Sequence, residues 1–355
     1  MSHVYSPSRH KEKKEVVSDK KMKEIMNERR WQYVDLGISD ESLKENFDFL
    51  NDAVVIRSGA EGIPLMTTTG IYGPIKPYQK VRLEQGTGRG AVVKVEEEYT
   101  EEHSLLDELK ERRINAKVPK KGNALKVQAK WVSGKDGGGL PSVGNSANVF
   151  GATGSLLVNE TEIDFPVLDI HHKDFDETLK YYGAKILKPG ESFHMGFNKP
   201  LFGMEYDTSL PGYIQDYVMK SYGGGGLFVE HHPFPHIWFP NPSEEEKPTN
   251  VCRILLGRII ESKEEQERDN RESWEENECP ERHGNKLQPE YHFTVFRFPS
   301  DGHAIAVDEC CIHNDSFCNG KQVVFLANTD ANTVALRETA PFKNLRISEQ
   351  ETPHK

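Results

Sequence analysis

The stretch Leu227-Phe-Val-Glu-His-His-Pro-Phe-Pro-His-Ile-Trp-Phe-Pro240 holds three histidines between two apolar runs. The β-branched and aromatic residues of these runs predict a short strand on each side of the histidines. Since alternate residues share one face of a strand, we expect His232 and His236 to point the same way and His231 the other way. Neutral imidazoles with directional lone pairs indicate a metal site. A loop whose rings bond to backbone carbonyls is the alternative.

The rest of the chain shows the same pattern of short apolar runs. Short runs rich in β-branched residues, each closed by Gly, Pro or Asn, recur at the spacing of sandwiches and barrels. Narrow apolar stripes after Ser18, Asp40 and Thr100, and a capping box at 174–177 followed by Gly183, predict a few peripheral helices. The predicted strands are 54–56, 70–75, 80–83, 91–95, 125–131, 155–158, 185–187, 227–229, 237–239, 251–260, 291–298, 303–307 and 322–326. We therefore expect a mainly β fold.

Composition divides the chain into three predicted regions. Residues 1–17 are polar and form a disordered tail, and 18–150 form an N-terminal β-rich domain with short helices. Residues 151–345 form a barrel that contains the histidine cluster. An acidic insertion over 261–290 interrupts it, with ten acidic and four basic residues between 261 and 282. Such a segment is typical of solvated chain.

Charge and hydropathy exclude several classes of protein. The net charge is −11 and the pI is about 5.7, a balance that repels polyphosphate and excludes general nucleic-acid binding. No run approaches the roughly 18 apolar residues of a spanning helix, and the basic start lacks an apolar segment. We therefore expect a cytoplasmic protein without a membrane partner. Five cysteines, an odd number, favour free thiols or metal ligands over a secreted disulfide framework.

A second stretch, Leu187-Lys-Pro-Gly-Glu-Ser-Phe-His194, places a Pro-Gly turn ahead of a histidine, and Glu205 follows on the next apolar run. With the proline-flanked histidines downstream, the order over about residues 185–240 resembles the two short motifs of the cupin superfamily. The resemblance implies a cupin-like jelly-roll β-barrel that binds a metal in its mouth. In that family the first motif supplies two histidines and a glutamate, and the second motif supplies one more histidine.

The resemblance implies a ligand set for one divalent metal ion, with iron preferred over zinc or manganese. His194 and Glu205 match the first motif, and His232 and His236 match the second. The family usually has another histidine two residues after the first, but this chain has Gly196 there. The alternates that could complete the set are His231, His171 and His303.

The segment 298–320 also resembles a second cupin motif, because a proline and a glycine precede His303. One barrel or two would fit this pattern. Cys310, His313 and Cys318 have the spacing of part of a zinc knuckle. The alternative is a polar turn that begins at His313, with the cysteines as small core residues.

The resemblance implies a metal-dependent enzyme, an oxygenase such as a dioxygenase in the first place and a lyase or isomerase in the second. We expect Glu205 and Tyr206 to be catalytic. Aromatic residues around the histidines favour a small aromatic or hydrophobic organic substrate, and cupin-like barrels often form homodimers. Two other classes fit the same pattern: a non-catalytic β-barrel binding or storage protein, and an interaction protein that uses the acidic insertion and the basic tail.

Overall fold

The computed structural model describes twelve segments of the chain: residues 32–35, 67–85, 91–99, 104–132, 154–207, 227–240, 251–260, 289–299, 301–314, 321–327, 332–339 and 345–352. Strands dominate these segments, and two helices are present in them. The fold is therefore mainly β, as predicted. The jelly-roll topology stays a prediction.

The strands are β1 (Gln32–Asp35), β2 (Thr67–Ile75), β3 (Gln79–Gln85), β4 (Ala91–Tyr99), β5 (Leu125–Val132), β6 (Gly154–Val158), β7 (Glu162–Asp169), β8 (Ala184–Leu187), β9 (Ser192–His194), β10 (Leu201–Asp207), β11 (Phe228–His231), β12 (His236–Pro240), β13 (Val251–Ile260), β14 (Glu290–Pro299), β15 (Ala304–Val307), β16 (Ile312–Asn314), β17 (Lys321–Leu326), β18 (Asn332–Glu338) and β19 (Arg346–Glu351). The helices are α1 (Leu105–Ile114) and α2 (Phe175–Tyr181).

Three sheets organise the described strands. A seven-stranded sheet has the order β1-β2-β10-β17-β12-β15-β8, and a nine-stranded sheet has the order β13-β16-β11-β18-β6-β5-β14-β7-β19, with β13 also pairing with β14. A three-stranded sheet has the order β4-β3-β9. Strands from both sides of residue 150 share these sheets, since β2 pairs with β10 and β5 with β14. Long-range pairing therefore joins the two predicted β regions.

Every predicted strand that falls in the described segments is present; most ends agree within a residue or two, whereas β2 begins three residues before the predicted strand 70–75 and β4 ends four residues after the predicted strand 91–95. Alternation is clearest in β5, where every second residue of the central part is buried. The predicted strand 54–56, the helices after Ser18 and Asp40, and the tail 1–17 lie outside the described residues. Of the predicted acidic insertion 261–290, residues 261–288 also lie outside them, and β14 already begins at Glu290.

The two helices are where capping boxes or apolar stripes predicted them, but their N-termini differ in detail. The cap of α1 is Ser104, whose hydroxyl accepts from the backbone of Asp107 at 3.0 Å, rather than Thr100. Asp174 precedes α2 without a side-chain capping bond, because its carboxylate is bound by Lys120 instead. None of the helices in the described segments is long and apolar enough to cross a membrane.

Candidate metal centre

Four side chains form a compact group: Glu230, His232, His236 and His313. One potential ligand atom from each lies within 4.8 Å of the others. The four residues are between 2 % and 9 % exposed, so the group is inside the protein. A carboxylate and three imidazoles are ligands that divalent transition metals accept. The group could therefore hold a metal ion.

The pairing of strands brings these side chains together. Glu230 of β11 lies directly opposite His313 of β16, so both side chains leave the same face of the nine-stranded sheet. His236 begins β12 of the seven-stranded sheet, opposite Val307 of β15. His232 lies in the short connection between β11 and β12. The chain thus supplies two ligands while it crosses from one sheet to the other, and each sheet supplies at least one.

Backbone carbonyls hold two of the rings. His236 donates from Nδ1 to the carbonyl of Phe325 at 2.9 Å, and His313 donates from Nδ1 to the carbonyl of Cys311 at 2.8 Å. Since a carbonyl oxygen only accepts, both Nδ1 atoms carry a proton, and in the neutral form of each ring the lone pair is then on Nε2. Metal-ligating histidines commonly have such a partner, which fixes the tautomer and the ring orientation.

Two of the distances within the group are close to those between the ligands of a small cation. Nε2 of His313 lies 3.3 Å from Oε1 of Glu230, and Nε2 of His232 lies 2.6 Å from Nε2 of His236. Bonds of about 2.0–2.1 Å in a tetrahedral site would set ligand atoms about 3.4 Å apart. The first pair already has this spacing, and the second pair would separate by less than about 1 Å.

The surroundings keep two of the imidazoles neutral. Burial lowers the pKa of His232 and of His236 well below the ordinary value, and repulsion from neighbouring imidazoles acts in the same direction. Phe234 stacks on His232 with ring centroids 3.5 Å apart. The ring of Trp238 lies 4.3 Å from that of His236 and 5.0 Å from that of His313. The neutral imidazole is the form that binds a cation.

Two of the predicted ligands belong to this group. His232 and His236 point the same way, and His231 points elsewhere, with its ring 4.9 Å from that of Trp131, which confirms the predicted alternation. The predicted ligand His194 lies on β9 of the three-stranded sheet, and its ring lies 6.4 Å from that of Tyr78. It is not one of the four clustered side chains.

The other predicted site residues lie elsewhere or outside the described side chains. The alternate His303 pairs with Asp301, and the alternate His171 is exposed. Glu205 belongs to β10, where its backbone lies opposite Val323 of β17. The side chains of Glu205 and of its neighbour Tyr206 are outside the described part, so their catalytic roles stay predictions.

Two members of the group, Glu230 and His313, were not predicted as partners of His232 and His236. Glu230 stands two residues before His232, a spacing that places alternate strand residues on one face. His313 was interpreted as part of a zinc knuckle or as the start of a polar turn, and the turn was wrong because residues 312–314 form β16. The zinc knuckle was also wrong, because Cys310 is disulfide-bonded and has no thiolate to offer. Its partner lies outside the described residues.

No family model, curated protein or solved structure matches the chain. The cupin resemblance therefore stays a prediction. Fold and site together define a mainly β protein with a buried group of three histidines and one glutamate, fit to hold a metal ion.

Proposed function

We propose that the protein is a metal-dependent enzyme whose centre is formed by Glu230, His232, His236 and His313. The observation that carries this proposal is the convergence of four buried ligand side chains from two sheets, with two of the rings held by backbone carbonyls. Burying several imidazole lone pairs without a partner is unfavourable in free energy, and a bound metal ion would provide that partner. In this proposal Glu230 takes the role that the cupin resemblance implied for Glu205.

We propose iron as the metal, with zinc or manganese as alternatives, because imidazole and carboxylate ligands suit all three. When bound, iron supplies redox chemistry for an oxygenase, whereas zinc or manganese polarises a carbonyl for lyase or isomerase chemistry. The chain itself orients the ligands through the carbonyls of Phe325 and Cys311. Phe234 and Trp238, both buried, shield the rings from water.

The substrate class follows from the same surroundings. Aromatic side chains pack against the ligand rings, and the group is almost fully enclosed. A small aromatic or hydrophobic organic molecule would replace water there at little desolvation cost. A large or polyanionic substrate would be disfavoured beside the carboxylate of Glu230.

Elemental analysis of the purified protein tests the proposal. We expect about one metal ion per chain, and at least a tenfold loss of bound metal in His236→Ala, His313→Ala and Glu230→Gln, since second-shell changes alone cost about 10- to 100-fold. His171→Ala is the matched control, because this histidine is exposed and outside the group. Circular dichroism would verify that each variant folds. Folded wild-type protein without metal, or ligand variants that retain it, would contradict the proposal.

The deep burial of the group favours a second candidate, a non-catalytic binding or storage protein with a closed metal site. Structural metal sites fill all coordination positions with protein ligands, whereas catalytic sites keep one open. Cobalt-substituted protein separates the two. Its visible spectrum should change on addition of a small anion if a position is open, and should stay constant if the site is closed.

A further inference from the structure

The indole of Trp238 has an unused hydrogen-bond donor. Trp238 is 2 % exposed, and its Nε1 has no hydrogen-bond partner among the residues that the structure describes. Trp131 is equally buried, at 3 %, but its Nε1 donates to Oδ1 of Asn332 at 3.3 Å. Buried polar groups nearly always have a partner, so an orphaned donor requires an explanation.

This donor belongs to a side chain that contacts the metal group. Trp238 follows His236 by two residues on β12, so both side chains leave the same face of the strand. The indole ring lies 4.3 Å from the ring of His236 and 5.0 Å from that of His313. An indole N–H can only donate, and therefore a metal ion cannot satisfy it. Its partner must be an acceptor atom.

The charge of a loaded centre points to the kind of acceptor. A divalent ion brings two positive charges, whereas the four ligands offer one carboxylate, that of Glu230, and three neutral imidazoles. One positive charge would be left uncompensated inside the protein, where burying an unpaired charge is unfavourable. An oxygen anion next to the ion would neutralise this charge and accept from the indole.

We propose that Trp238 donates its indole N–H to an oxygen anion at the metal centre, so that the substrate carries a carboxylate or a phenolate group. This inference rests on the proposed function, because it requires a bound cation. It adds a specificity residue and a substrate class to the same centre: an aromatic or hydrophobic molecule with one anionic oxygen group. The aromatic rings would contact the apolar part, and the ion and Trp238 would bind the anionic end.

Calorimetric titration of metal-loaded protein with acetate tests this inference, with acetamide as the neutral analogue of the same shape. We expect acetate to bind more tightly than acetamide, and Trp238→Phe to weaken acetate binding by about 10- to 100-fold, the range of a hydrogen bond to a charged acceptor. Trp131→Phe is the matched control and should leave acetate binding unchanged. Titration with phenol distinguishes a phenolate site from a carboxylate site.

Urea unfolding of the same variants without added anion gives a second readout. Both variants lose buried ring volume and should unfold at lower urea than wild type, but Trp131→Phe also breaks a hydrogen bond within the protein and should be destabilised more than Trp238→Phe, which removes an unpaired donor. Equal destabilisation of the two variants would indicate a merely structural role of the Trp238 indole N–H.

The outcomes separate this inference from the proposed function. Equal acetate affinity in wild type and Trp238→Phe, with metal retained in both, would overturn the inference and leave the metal centre standing. Loss of metal from Trp238→Phe would also overturn it, because the indole would then act on the ligands rather than on an anion. Wild-type protein without metal would overturn both.

Discussion

Asp308 gives a prediction whose size follows from its surroundings. It lies just after β15 and is only 2 % exposed, and Nη1 of Arg113 on α1 is 3.2 Å from its Oδ2. Burial raises the pKa of Asp308 to about 6, although the charge of Arg113 acts in the opposite direction. The turn that Asp308 begins also contacts the metal group, because the backbone N–H of Cys310 donates to the carbonyl of His232 at 2.8 Å.

The sign and the magnitude follow from linkage. The folded protein binds the Asp308 proton more tightly than the unfolded chain, so stability from this group is fully present below about pH 4 and is lost as the pH rises to about 6. The difference between the ordinary pKa of 3.8 and about 6 corresponds to about 3 kcal/mol of unfolding free energy. Asp308→Asn removes this titration.

Urea unfolding of wild type and Asp308→Asn between pH 4 and pH 7.5 measures the effect. As the pH rises from 4 to 7.5, the unfolding free energy of the variant should increase by about 3 kcal/mol relative to that of wild type. The cost of leaving Arg113 without a carboxylate is the same at every pH and cancels from the comparison. Asp164→Asn, at an exposed aspartate of β7, is the control and should give no such gain. A constant free-energy difference between wild type and Asp308→Asn from pH 4 to 7.5 would refute the reasoning.

Two further predictions concern packing and the metal. Gly257→Ala should destabilise the protein by about 1–3 kcal/mol, because the new Cβ would lie 2.5 Å from Cε1 of Phe293. In urea unfolding, the double variant Gly257→Ala/Phe293→Leu should lose less unfolding free energy than the sum of the losses of the two single variants. Removal of metal with a chelator should lower the melting temperature of wild type, since a ligand that binds only the folded state stabilises it. Glu230→Gln should show little response, and equal responses of the two proteins would argue against Glu230 as a ligand.

Much of the fold was predictable because its signals are local. The runs of β-branched residues marked twelve of the nineteen described strands, and the Gly183 stop after α2 was also correct, with φ at +69°. The strands not among those runs are β1, β7, β9, β10, β16, β18 and β19. The apolar stripe of α1 predicted the helix but not its cap: Ser104 provides a side-chain acceptor that Thr100 was expected to provide. The end of a helix depends on a single capping hydrogen bond and is therefore harder to predict than the helix itself.

The candidate site was only half predictable. The expected alternation grouped His232 with His236 and separated His231, although His232 lies in the connection between β11 and β12 rather than on the strand of His236. The resemblance suggested His194 as a ligand, but β9 pairs with β3 in a different sheet from β11 and β12. Turn-forming residues after His313 concealed the short strand β16, so His313 was grouped with Cys310 and Cys318 rather than with His232 and His236.

The amino-acid sequence by itself determined the mainly β class, the positions of most described strands and the shared direction of His232 and His236, because these follow from backbone preferences and side-chain alternation over a few residues. The tertiary structure decided which carboxylate and which third imidazole join them. That choice depends on the register that sets Glu230 opposite His313 and on the crossing of the chain between two sheets. Strand pairing between distant parts of the chain is selected by the packing of the whole core, which no local pattern encodes.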